Sequence, residues 1–395
     1  MNASRFRCRQ IPFFSRQTPR SPLVFLVLAG VLGVSVGCMP RVKLNPRAVL
    51  KVREAMRLID RGDLDRAEAR LTLALEYNPS YAEALNGLGL IYYHRGQPYR
   101  AMQTFRRALL LDDELAEAHN NLGVVLLERR SFHEAKACFR AALAIDPGYG
   151  NARFNFALGL LQTGRLGPAE KELLKVLAVE PKMGAAHAEL GCLYVHEHRR
   201  AAADRALREA LVLEPRLAAA HRCRGRLLRQ AGDLAGAEVA LRRARKLDPS
   251  DAEALHELAV TLLLSGKEAG ARRELKTLLR RRPRAPEAHF ALAFLLQSNP
   301  VDQAGYVEAE AELRRALALR PDYPAASLLL GDLLARHGRG VAAATQYQRF
   351  LRRVPAGLVG ETRRVRRWLA SRRVAPTATA VTSATAVTSA TAARR

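Results

Sequence analysis

Seven alanines lie 34 residues apart: Ala67, Ala101, Ala135, Ala169, Ala203, Ala237 and Ala271. No single globular core imposes so even a spacing. A stack of like units does, because each unit must present a small residue at the same close contact. Prolines keep the interval at Pro79, Pro147, Pro181, Pro215, Pro249 and Pro283. Glycines at Gly62, Gly96, Gly164, Gly232, Gly266 and Gly338 share a second register, as expected where a helix closes on a left-handed residue.

Residues 116–149 show what one unit holds. Ala118, Leu122, Gly123 and Leu126 fall on one face of a first helix, and Ala135, Phe139 and Ala142 on one face of a second. Apolar residues three and four apart are the amphipathic helical signature. Pro147 cannot continue the second helix and opens the next unit. Hydrophobic residues make up 49% of the chain but aromatics only 6%, which suits helices packed through Ala and Leu rather than a β-sandwich.

These residues resemble the tetratricopeptide repeat: Leu-Gly, a Tyr or Leu three residues on, then Ala, an aromatic or Leu, Ala and Pro. The resemblance covers nine units, 48–81, 82–115, 116–149, 150–183, 184–217, 218–251, 252–285, 286–323 and 324–357. It implies an all-α fold, a right-handed α-solenoid of about nine helix pairs closed by a C-terminal capping helix. The first unit has Glu54-Ala55 in place of Leu-Gly. The eighth is four residues longer, and the extra residues near Ser298–Asp302 read as a longer loop between its helices. Residues 358–373 read as the basic capping helix, with Val365, Trp368 and Leu369 inward, because a last repeat would otherwise expose its apolar side. Residues 374–395, rich in Ala, Thr and Ser with no acidic residue, read as a disordered tail.

The start of the chain reads as an export signal. Arg5, Arg7, Arg9, Arg16 and Arg20 precede an apolar run from Leu23 to Gly37, and this run is short of the ~20 residues of a membrane span. Val34-Ser35-Val36-Gly37-Cys38 resembles the lipobox of bacterial lipoproteins. That resemblance implies cleavage of residues 1–37, acylation of Cys38, and a tether over 38–47. An ordinary cleaved signal and an uncleaved anchor are the alternatives. Met39 stands where an Asp would retain an enteric lipoprotein at the inner membrane, which points to the outer membrane. Cys138, Cys192 and Cys223 remain, and nothing in their spacing demands a bridge, so free thiols are expected, with a Cys192–Cys223 disulfide as the alternative.

The formal charge is +26, with 55 arginines against 9 lysines. Between Arg339 and Arg373 stand ten arginines and one acid, Glu361, and Arg280, Arg281, Arg282 and Arg284 form another cluster. Such fields favour acidic partners or anionic surfaces. Nucleic acid is not expected as a partner of an exported chain.

No phosphate-binding glycine loop, nucleophile elbow or HExxH occurs. His119, His187, His221 and His289 share one register on different units and read as structural, and His196 and His198 fall on different helix faces. Neither catalytic residues, metal nor cofactor is expected, and nine units with a cap leave no room for a catalytic domain.

In the family, residues two, five, six, nine and twelve of each unit face the concave groove. Here they include Asn86, Asn120, Asn121, Asn151 and Asn155, whose amides match the backbone of an extended peptide; a merely tolerated polar face is the alternative. Arg222, Arg226 and Arg229 form an i, i+4, i+7 stripe suited to an acidic segment or chain terminus, or to solvent. Tyr93 and Phe154 are read as exposed groove aromatics. The expected function is a membrane-anchored scaffold binding protein or peptide segments, acidic ones among them, in the bacterial cell envelope. A secretin pilot-like lipoprotein of type IV pilus biogenesis and a non-lipidated inner-membrane adaptor are the alternatives.

Overall fold

The computed structural model describes residues 45–298, 303–354 and 358–371. Cys38, the signal segment and the tail lie outside the described residues. Among those described there are nineteen α-helices and no strand. They follow as pairs: α1 (Pro46–Asp60) and α2 (Leu64–Tyr77); α3 (Ala82–His94) and α4 (Pro98–Leu111); α5 (Ala116–Glu128) and α6 (Phe132–Ile145). Next come α7 (Gly150–Gln162) and α8 (Leu166–Val179); α9 (Gly184–His196) and α10 (Arg200–Leu213); α11 (Ala218–Gln230) and α12 (Leu234–Leu247). The last pairs are α13 (Ala252–Leu264) and α14 (Glu268–Arg281); α15 (Pro286–Ser298) and α16 (Gln303–Leu319); α17 (Pro324–Arg336) and α18 (Gly340–Arg352). A single helix, α19 (Val359–Ser371), ends the series.

The described residues divide into two compact units, one up to Leu227 and one from Leu228 on. In the first, the helices of a pair pack together, as α3 and α4 do, and successive first helices also meet, α1 on α3, α3 on α5 and α5 on α7. In the second, one continuous core runs from Leu241 to Val365, with Trp368 and Leu369 of α19 packed against it.

The spacing rule has a direct packing cause. Ala67, Ala101, Ala169, Ala203, Ala237 and Ala271 are wholly buried, and Ala309 and Ala343 continue the row in the last repeats. Opposite them the two helices of a pair meet at a glycine and a large side chain. A Cβ built on Gly123 would stand 2.6 Å from the Phe139 ring, and one on Gly89 would stand 2.4 Å from Phe105. The missing methyl is what admits the ring, whose burial contributes on the order of 2–3 kcal/mol.

Helix ends obey the second register. The six register glycines all have positive φ, between 69° and 88°. At the ends of α1, α3, α5, α7, α9, α11, α13 and α17 the residue after the left-handed one donates back five residues, as Gln97 N does to Tyr92 O at 2.9 Å, which is the Schellman pattern. Arg130 (φ 62°) and His198 (φ 59°) complete the same register without glycine. Their bonds are kept, Ser131 N to Leu126 O and Arg199 N to Tyr194 O, both 2.9 Å. Side-chain caps start some helices: Asp251 Oδ1 accepts from Glu253 N at 2.9 Å and Ala254 N at 3.1 Å.

Basic residues recur opposite acids of the preceding repeat. Arg199 reaches Glu170 at 2.8 Å, Lys267 reaches Glu238 at 2.9 Å, and Arg339 reaches Glu310 at 2.7 Å. Each pair is 29 residues apart in sequence, so part of the positive charge is matched repeat by repeat.

Two expectations are corrected. The extra residues of the eighth repeat do not all lie in a loop. α16 has 17 residues where the second helices before it have 14 and α18 has 13, so the insertion mostly lengthens that helix at its N-terminal end. Its Tyr306, at the register where the other second helices begin, is buried and lies against His337 with ring centroids 3.6 Å apart, and the added residues 303–305 precede it. The free-thiol expectation is also overturned for two cysteines. Cys192 and Cys223 form a disulfide with Cα atoms 5.3 Å apart. Position nine of one first helix meets position six of the next, a juxtaposition set by helix packing and invisible in a spacing of 31 residues. Cys138 stays a free thiol, and burial pushes its pKa up to about 11, which leaves it unreactive near neutrality.

Candidate peptide-binding face of the first helices

The first helices carry the residues expected to face a groove, and the structure sorts them into two groups. Asn86, Asn120, Asn121 and Asn155 are buried and bonded to one another. Asn155 Nδ2 donates to Asn120 Oδ1 at 2.9 Å, Asn120 Nδ2 to Asn121 Oδ1 at 3.3 Å, and Asn121 Nδ2 to Asn86 Oδ1 at 3.0 Å. The ladder crosses α7, α5 and α3. These amides therefore act as a polar seam between repeats rather than as an open row, because position six of one helix reaches position five of the preceding one. Asn155 Oδ1 is left as a buried acceptor with no hydrogen-bond partner among the described residues. Asn151 is half-buried and outside the seam.

The aromatics divide in the same way. Phe154 is 2% exposed and belongs to the core, which corrects its reading as a groove residue. Tyr93 is half-buried, and its hydroxyl donates to Glu128 at 2.5 Å. Burial raises the Glu128 pKa and that bond opposes the rise.

On α9 and α11 the face becomes charged. Arg222 and Arg226 are half-buried on α11. Burial raises the pKa of Glu189 on α9, and the Arg222 charge opposes it. Arg229, at the end of α11, donates to Glu257 Oε2 at 2.7 Å, so this guanidinium already holds a carboxylate of the protein. The Cys192–Cys223 bridge joins α9 to α11 beside Arg222. Sequence reasoning held that bridge only as the alternative to free thiols, because a spacing of 31 residues does not show that the two positions meet.

The shared-register histidines are clasps. His119, His187 and His221 each set Nε2 against a carbonyl oxygen six residues back, those of Asp113, Pro181 and Pro215, at 2.9 to 3.0 Å. Arg153 takes the same place in its repeat and donates to Pro147 O at 2.6 Å. A carbonyl only accepts, so the proton is assigned to Nε2. His289 does the same with Pro283 O at 2.9 Å, and its Nδ1 also meets Glu312. Two acceptors favour the doubly protonated ring, and the Glu312 hydrogen bond raises the His289 pKa against the opposing effect of burial. Among the described residues no group of three or more His, Cys, Asp or Glu is placed to hold a metal, and no helix is long and apolar enough to cross a membrane.

Comparison with known proteins agrees with the fold. Family models described as tetratricopeptide repeat match residues 52–118, 188–252 and 301–357, with further models of the same description matching 228–295 and 116–149. No curated protein shows a significant match. Among solved structures, the Cut9–Hcn1 hetero-tetramer of the APC/C is 19% identical with a TM-score of 0.61. That match covers 74% of this chain, which spans 57% of that one. The human IFIT1 dimer with PPP-AAAA is 16% identical, covers 84% of this chain and 83% of its own, and has a TM-score of 0.56. A structure from the functional characterization of Pseudomonas aeruginosa pilF is 22% identical over 53% of this chain and 95% of its own, with a TM-score of 0.47. At these identities the likeness is one of fold. Its repeats, registers and helix pairs place the chain in the tetratricopeptide-repeat family.

Proposed function

We propose that this protein is an exported scaffold, held by a lipid on Cys38, that binds segments of partner proteins in the bacterial cell envelope and so assists assembly of a complex. The observation that carries the export reading is the Cys192–Cys223 disulfide, since such bonds persist where the surroundings are oxidising. It is independent of the apolar run and of the Val34–Cys38 pattern, and it points the same way. Outer-membrane attachment follows from the residue after Cys38 and remains part of the proposal.

Tetratricopeptide arrays work by presenting a preformed surface, so little ordering of the array opposes binding. The face that Arg222 and Arg226 occupy on α11 suits an acidic segment or a chain-terminal carboxylate, which a guanidinium grips with two parallel hydrogen bonds. All three guanidiniums already interact within the protein, Arg229 with Glu257 and Arg222 with Glu189 among them, so a partner carboxylate would exchange for such contacts. Binding of the purified protein to an array of acidic peptides with free C-termini tests this reading. Arg222→Glu with Arg226→Glu is expected to abolish the strongest signals, whereas unchanged signals would remove α11 from the recognition surface.

A further inference from the structure

The last two helices carry exposed basic stripes that the scaffold role does not use. On α18, Val341, Thr345, Arg349 and Arg352 follow at i, i+4, i+8 and i+11, and all four are exposed, Val341 by 84%. On α19, Val359, Arg363, Arg366 and Arg367 form a second exposed stripe. The two helices are packed together, with the rings of Tyr347 and Trp368 edge to face at 4.9 Å. Neighbouring arginines are already spent: Arg364 grips Asp332 with two bonds of 2.8 Å, Arg339 holds Glu310, and Arg353 holds Asp322. Arg349, Arg352, Arg363, Arg366 and Arg367 form no ion pair among the described residues.

A recess lies beside the first stripe. It measures about 460 Å³, has Leu317, Leu330 and Leu334 in its lining, and carries Arg314 and Arg349 there too. Gln346 Oε1, also in that lining, is a buried acceptor without a partner. Guanidiniums beside a recess that joins leucines to polar side chains, with an exposed valine heading each stripe, match an amphiphile with an anionic head better than a purely polar polyanion. We propose that α18 and α19 form a docking surface for anionic phospholipid, with the five arginines on the phosphates and Val341 and Val359 at the acyl boundary. Such a surface would hold the second unit against a bilayer whether or not Cys38 is acylated.

The test uses the full chain carrying Cys38→Ser, so that no acyl chain contributes. Partition is measured onto vesicles of phosphatidylcholine alone and of phosphatidylcholine mixed with phosphatidylglycerol. The difference between the two isolates the charge-dependent part from any contribution of residues 23–37. Near an anionic surface each arginine counts for a factor of several, so Arg363→Glu with Arg366→Glu and Arg367→Glu should cut this part on the order of a hundredfold. A control of equal charge change, Arg205→Glu with Arg216→Glu and Arg243→Glu, should leave most of it. High salt should remove it from the unmutated surface, a readout that needs no variant to fold. Equal partition onto both vesicle types, or equal loss in both triple variants, would overturn the proposal. Retention of an acidic protein by α18 and α19 with no preference for phosphatidylglycerol would overturn it as well.

Discussion

Cys192 on α9 and Cys223 on α11 are joined across two successive repeats, with their Cα atoms 5.3 Å apart. In a stack where each repeat touches only its neighbours, one covalent tie fixes the local spacing of the first helices at that point. The tie closes a loop of 31 residues, worth about 3–4 kcal/mol in the chain-entropy account. Reduction, or Cys192→Ser with Cys223→Ser, should therefore speed amide exchange in α9 to α11 and lower the melting temperature. Unchanged exchange there would show that the bridge carries no stability.

Arg130 and His198 occupy the left-handed position that glycine fills in six other repeats. A side chain in that conformation costs roughly 1–2 kcal/mol. Arg130→Gly and His198→Gly should each stabilise the protein by about 1 kcal/mol, and Gly164→Ala should destabilise it by a similar amount. Urea unfolding midpoints of the three variants provide the check, and a destabilised Arg130→Gly would contradict the cap assignment.

Gly123 and Phe139 meet where no Cβ fits. Gly123→Ala should cost about 1–3 kcal/mol through overpacking, and Phe139→Ala about 3–5 kcal/mol through the cavity it leaves. If the Phe139 ring can swing aside, the double variant will match the sum of the single costs. Coupling in the double-mutant cycle is the expected result.

His289 and Glu312 give a pH signature with a defined sign. The His289 pKa is raised above 6.5, first by the Glu312 hydrogen bond, so its contribution is full below 6.5 and fades as pH rises through the raised value. For Glu312, burial works to raise the pKa, but His289 and Arg315 together lower it below 4.5. Its contribution is full above 4.5 and is lost as pH falls through the depressed value. The pair should thus stabilise most between those limits. His289→Gln should flatten the fall in stability on the alkaline side, as followed by thermal melts across pH, and an unaltered profile would contradict the imidazolium.

Much of the fold was legible because a repeat makes each packing rule visible many times over. Ala67 through Ala271 mark the helix contact, and Gly62 through Gly338 mark the first-helix ends. What escaped was whatever depends on how one repeat sits against the next. Asn120 and Asn155 share polarity and rough register with groove residues, yet the offset between repeats turns their amides inward. The same offset brings Cys192 to Cys223. At the eighth repeat, four extra residues are as compatible with a loop as with a helix turn, and the sequence alone does not choose between them, whereas the structure starts α16 at Gln303. Arg222 and Arg226 were placed correctly on one helix, but sequence could not reveal that Arg229 is engaged by Glu257.

The central claim is that the array is exported and anchored through Cys38. Intact mass and membrane fractionation of the protein from bacterial cells, with and without Cys38→Ser, test it most directly. The account predicts a wild type that begins at Cys38, carries acyl chains and sediments with membranes, and a variant that carries none. A wild type that keeps residues 1–37 with an unmodified Cys38 would contradict it.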